Sequence, residues 1–87
     1  MSDPTEGFRR QAVAAINSRV ESDDDAAERA RLEPIHGEVW NTRELTEAFE
    51  VHSFLAPFVS VTRKSDGQKG LLAFQHMPRF YFDFTPA

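Results

Sequence analysis

A chain that reads Arg79-Phe80-Tyr81-Phe82-Asp83-Phe84 leaves its backbone few choices. Side chains on a strand alternate between two faces. The run therefore predicts a strand with Phe80, Phe82 and Phe84 on one face and Arg79, Tyr81 and Asp83 on the other. Upstream, residues 57–63 are rich in β-branched and aromatic side chains. Phe58, Ser60 and Thr62 are expected to point one way, and Val59, Val61 and Arg63 the other. Lys64-Ser65-Asp66-Gly67-Gln68 reads as a hairpin turn, because Asp-Gly supplies residues that tolerate positive φ. Residues 69–75 return as a strand, and His76-Met77-Pro78 marks a second corner. The expectation is a three-stranded antiparallel β-meander.

Ahead of it the apolar period is helical. Asp3-Pro4-Thr5-Glu6 reads as a helix start, with Asp3 as cap, Pro4 in the first position and Glu6 closing a capping box. Phe8, Ala12, Ala15, Ile16 and Val20 recur at helical spacing, predicting about five turns that end near Glu21. Ser22-Asp23-Asp24-Asp25 interrupts this pattern, since such residues favour caps and turns. With Asp25 as cap and Glu28 closing the box, residues 26–32 form a short second helix that stops before Pro34. Competing readings are one helix over residues 4–32, or a frayed acidic stretch. Residues 33–38, with Pro34 and Gly37, read as a linker. Asn41-Thr42-Arg43-Glu44 is another capping box. Leu45, Ala48 and Phe49 give an apolar face, and Trp40 is placed to staple against Leu45. That predicts a helix over residues 42–50. The fold class is α+β: two or three N-terminal helices packed on a C-terminal three-stranded antiparallel β-meander.

At 87 residues the chain fits one domain. Residues 1–36 read as a helical, partly mobile arm, and residues 37–87 as a helix plus the meander core. Met1 reads as the start of a complete small gene product. A chain this short must rely on a few large side chains. Six of its eight phenylalanines (Phe54, Phe58, Phe74, Phe80, Phe82 and Phe84) lie in the C-terminal part of the chain, from residue 54 onward. At roughly 1.5–3 kcal/mol per buried ring, six contribute on the order of 10–15 kcal/mol before chain entropy is subtracted.

There is no cysteine, and the N-terminus is acidic and polar, unlike a signal peptide. No apolar run is long enough to span a bilayer. The expected location is the cytoplasm, with no membrane partner. The net charge is −4, and the first half holds all the excess acid. Whole-protein attraction to nucleic acid is therefore not expected.

No catalytic, cofactor-binding or metal residue is assigned, and no cofactor is expected. A Gly-x-Ser-x-Gly elbow is missing, and His52-Ser53 are neighbours that point apart on a strand. His36, His52 and His76 with Glu38, Glu50 and Asp83 offer only i, i+2 pairs, and no His-x-x-x-His occurs, so zinc spacing is not met. Glu44, Glu47 and Glu50 lie along one edge of the predicted helix, the ordinary solvated side. Gly67 and Gly70 belong to a hairpin followed by a strand, which rejects a phosphate loop.

Two features remain. Arg63, Lys64 and Lys69 cluster at the hairpin, and Arg79 (with His76 and Tyr81) is expected to extend them into an anion or nucleic-acid contact. In layout alone this resembles a winged-helix wing. However, the preceding helix carries three Glu, and lysines at a hairpin commonly protect sheet edges. The second feature is the stripe of Phe8, Ile16 and Val20, with Trp40 and Tyr81 as further protein contacts. The leading expectation is a non-enzymatic protein-interaction module, self or hetero, with residues 79–84 pairing with a partner strand. The alternative is a weak nucleic-acid binder using residues 63–69. A third is an enzyme or metal protein built on the histidines.

Overall fold

The computed structural model describes residues 4–87, so the expected Asp3 cap lies outside the described residues. Three helices come first: α1 (Glu6–Ser18), α2 (Asp25–His36) and α3 (Thr42–Ala48). Four strands follow: β1 (Phe49–Leu55), β2 (Phe58–Arg63), β3 (Lys69–Gln75) and β4 (Phe80–Pro86). They form one antiparallel sheet in the order β1-β2-β3-β4. The class is α+β as expected, but the meander has four strands rather than three.

The extra strand is β1. The helix expected over residues 42–50 ends at Ala48, and Phe49 is already extended (φ −133°, ψ 149°). Phe49 satisfied the i, i+4 spacing from Leu45, and it also begins a strand whose ladder outweighs two more helical residues. The capping box formed as expected. The Asn41 side chain accepts from the Glu44 N–H at 2.8 Å, and the Asn41 N–H donates to Glu44 Oε1 at 3.0 Å.

α1 ends at Ser18 rather than near Glu21, and no Thr5 side-chain bond caps it. α2 is capped by Asp24, whose carboxylate accepts from the Ala26 N–H, not by Asp25. It also runs through Pro34 to His36, where a stop was expected. In the last turn Pro34 forfeits one backbone hydrogen bond. That turn is held instead by His36, which stacks on Phe82 with centroids 4.1 Å apart and bonds Asp83 at 3.0 Å. Gly37 (φ 79°) then ends the helix, donating its N–H to the Glu33 carbonyl. Positive φ at this position favours glycine.

Both faces of the sheet are covered. On the first, α3 closes over Leu45, Phe49, Val59, Val61, Leu72, Phe74 and Tyr81, with Trp40, Val51 and Phe84 packed around them. On the second, α2 places Leu32 against Ala73, Phe80 and Phe82, with Val39, Ile16 of α1 and Phe58 alongside. Phe58 and Val59 thus face opposite ways, as their spacing implied. The expected polar face of β4 does not exist, because Tyr81 is only 2% exposed.

Nor does Phe84 share a face with Phe80 and Phe82. Leu71 pairs with Thr85 while Ala73 pairs with Phe82, so Leu72 opposes two residues. Asp83 absorbs the extra residue at φ 57°. This is a β-bulge at a residue type that tolerates the left-handed region. The bulge turns Phe84 onto the first face, over Gly70. A Cβ on Gly70 would lie 2.7 Å from the Phe84 ring and 2.5 Å from the Thr85 carbonyl oxygen.

Candidate interaction surfaces

The hairpin turn formed where expected, with Gly67 at φ 72°, but its cations are largely engaged by the fold. Arg63 grips Asp66 with Nε at 3.0 Å and Nη2 at 2.6 Å, and its guanidinium lies 4.8 Å from the Phe84 ring centroid. That grip, helped by the Gln68 N–H, holds the Asp66 carboxyl down at about 2. Lys64 caps the C-terminal end of α3. Its Nζ donates to the Thr46 carbonyl at 2.8 Å and its N–H to that of Ala48 at 2.9 Å. Lys69 is exposed, and its ammonium makes no hydrogen bond among the described residues.

Arg79 does not join them. It sits just before β4, by the β3–β4 corner, while the hairpin is at the opposite end of β3. Its guanidinium stacks 4.7 Å from the Phe74 centroid, and Nη2 bonds His76 Nδ1 at 3.1 Å. Arg79 Nε is buried with no acceptor among the described residues. Tyr81 is interior. The four cations are thus divided between two ends of the sheet.

The histidines are equally dispersed. His36 bonds Asp83, His52 Nε2 bonds Thr62 Oγ1 at 2.7 Å, and His76 accepts from Arg79. Among the described residues no group of three or more His, Cys, Asp or Glu side chains could hold a metal ion. Glu44 is committed to structure. Arg29 donates to both of its oxygens, at 2.7 and 3.3 Å, which with the Asn41 N–H lowers its pKa.

Of the expected protein contacts, Phe8 is 70% exposed. Val20 is half-buried, and Ile16 packs on the second face. Trp40 is half-buried, edge-on to Phe49 with centroids 5.1 Å apart. It has a further role that the sequence did not signal. Its N–H donates to the Tyr81 carbonyl at 2.9 Å and its carbonyl accepts from the Tyr81 N–H at 2.8 Å. The outer edge of β4, expected to receive a partner strand, is therefore occupied near its N-terminal end, at Tyr81, by the chain itself.

β1 presents the contrasting edge. Among the described residues it pairs only with β2. Its C-terminal end carries Phe54, 53% exposed, and Leu55, 54% exposed. Phe54 lies edge-on to Phe74, centroids 5.7 Å apart. The sheet thus shows an open backbone edge flanked by apolar side chains on both faces. The signal was present as the alternation Phe49-Glu50-Val51-His52, but the bulge after Val51 breaks it before it can be read.

A third site is buried and polar. Glu28 is fully buried and its carboxylate accepts five hydrogen bonds. Oε1 takes the N–H groups of Glu21 (2.7 Å) and Ser22 (3.1 Å) and Arg31 Nε (3.0 Å). Oε2 takes Arg31 Nη2 (2.8 Å) and Gln75 Nε2 (3.0 Å). Arg31 first, then Gln75 and the two backbone donors, outweigh burial and hold the carboxyl at about 2. The cluster ties the α1–α2 connection to β3. Beside it a cavity of about 80 Å³ opens between Ile16, Arg31, Leu32 and Phe82. With its donors and acceptors mutually satisfied, this cluster is a structural clamp.

Compared with family models, curated proteins and solved structures, the chain shows no significant match.

Proposed function

We propose that this chain is a non-enzymatic protein-interaction module that docks other polypeptides by strand addition at β1. One observation carries the reading: of the two sheet edges, β4 is bridged by Trp40 at Tyr81, while β1 has no partner beyond β2 among the described residues and is flanked by exposed Phe54 and Leu55. Backbone groups on such an edge supply affinity, and the flanking side chains supply selectivity. Next to Phe54, the Arg79–Phe74 stack adds the arginine and aromatic chemistry that is enriched where binding energy concentrates.

The test is selection of binders from a library of random extended peptides, followed by amide NMR mapping. Shifts concentrated in residues 49–55, and lost in Phe54→Asp, are the expected result. Binders that map instead to the hairpin or to the cavity beside Glu28 would refute it. Nucleic-acid binding through residues 63–69 has less support, since Arg63 and Lys64 already serve Asp66, Phe84 and the end of α3.

A further inference from the structure

The β1 edge is complementary to itself in one register, and we infer that its occupant is a second copy of this chain. This rests on β1 being the docking edge and adds the partner and its alignment.

Two antiparallel strands in one continuous sheet are related by a two-fold axis perpendicular to it, so each residue must face one from the same side. In a regular strand that condition puts a residue opposite itself or opposite one an even number of positions away. The bulge in β1 changes the count. Val51 pairs with Val61 and Ser53 with Ser60, leaving His52 as the extra residue. Val51 and Phe54, three apart, therefore both lie on the α3 face, beside Val61 and Val59. Glu50 and Leu55, five apart, both lie on the other face, opposite Thr62 and Phe58. His52 bonds Thr62 on that same face. A bulge often discourages edge pairing. Here it selects the register centred between His52 and Ser53.

In that register Phe54 covers the partner's Val51, and Val51 covers the partner's Phe54. His52 meets the partner's Ser53, a donor–acceptor pair. Glu50 lies opposite the partner's Leu55, one residue short of Ala56. In this chain the Ala56 carbonyl accepts from Arg9 Nη1 at 3.2 Å, and α1 packs on the same face as Glu50. The Glu50 carboxylate, which makes no ion pair among the described residues, is thereby brought to the partner's Arg9. Symmetry repeats the contact at the other end. The assembly closes at two copies, because a two-fold contact uses the same β1 edge on both chains and leaves neither one open.

The test combines sedimentation of the full chain up to about 1 mM with oxidative crosslinking of two variants, Val51→Cys and Phe54→Cys, singly and mixed. Opposed residues in an antiparallel pair have Cα atoms about 4.5–5.5 Å apart, within disulfide reach. The expected result is a concentration-dependent dimer that crosslinks only in the mixture. Glu50→Arg should weaken it about ten-fold, since the reversal acts at both symmetric contacts. A dimer that ignores Glu50→Arg, or that does not crosslink in the mixture, overturns the register. A monomer at the highest concentration overturns the second copy. The peptide selection then judges the β1 edge on its own, so the two failures are distinguishable.

Discussion

On one face of the sheet a helix of seven residues suffices; on the other, helices of 13 and 12 residues are used. The short helix α3 closes a cluster in which aromatic rings pack directly on aliphatic side chains. α1, the longest helix, has no buried residue at all. It is held by Ile16 and by polar contacts at its two ends. Arg9 reaches the Ala56 carbonyl, and Asn17 accepts from the His76 N–H at 2.7 Å. α2 is fixed by Leu32 and by the Glu28 cluster. The amount of helix laid on a sheet face thus says little about its hold. Buried apolar area and satisfied polar groups decide it.

The comparison breaks most directly at Phe49. It touches Trp40 and Phe84 and is 2% exposed. Phe49→Ala should cost about 3–5 kcal/mol, a large part of the stability of a small domain. Urea unfolding measures it. A loss under about 1 kcal/mol would mean that the α3 face is not the main core.

Glu28 tests the other face. In Glu28→Gln one oxygen becomes a donor, set among Arg31, Gln75 and two backbone N–H groups that all need acceptors. The expected cost is about 1–3 kcal/mol. The same site gives a pH signature. Its carboxyl sits at about 2 when folded, against 4.5 unperturbed, so its contribution is complete above the unperturbed value. It is then lost as pH falls toward the folded one. The urea midpoint should fall more steeply between about pH 5 and pH 2 in the parent chain than in Glu28→Gln. Parallel slopes would show that the clamp does not set acid stability.

How much of this was legible in the sequence follows the same division. The hairpin at Asp66-Gly67, the capping box at Asn41 and the strand from Phe80 are written in local residue chemistry, and each formed. β1 was hidden because Leu45, Ala48 and Phe49 fit a helical face and His52 interrupts the alternation. Phe84 changes face through the backbone angle of Asp83, which composition does not announce. Pro34 was read as a stop because its tertiary support, the His36–Phe82 stack, lies 46 residues away in sequence. Residues proposed for the basic patch were close in type but are divided by the length of β3. Trp40 was read through its side chain, whereas its backbone guards β4. In each case the missing information was a long-range pairing.

The smallest effects separate two accounts of α1. If hydrogen bonds at its ends hold it, Asn17→Ala should cost about 0.5–1.5 kcal/mol and speed amide exchange along residues 6–18. Phe8→Ala should change stability by no more than about 0.5 kcal/mol, because the ring is already largely in water. The apolar stripe of Phe8, Ala12, Ala15 and Ile16 predicts the reverse order, with Phe8 contributing more than Asn17. A Phe8→Ala loss that exceeds the Asn17→Ala loss would mean that the ring is covered in solution. In the two-copy arrangement the first turns of α1 approach the partner's Glu50, so a Phe8→Ala effect that grows with protein concentration would place that cover at the β1 interface.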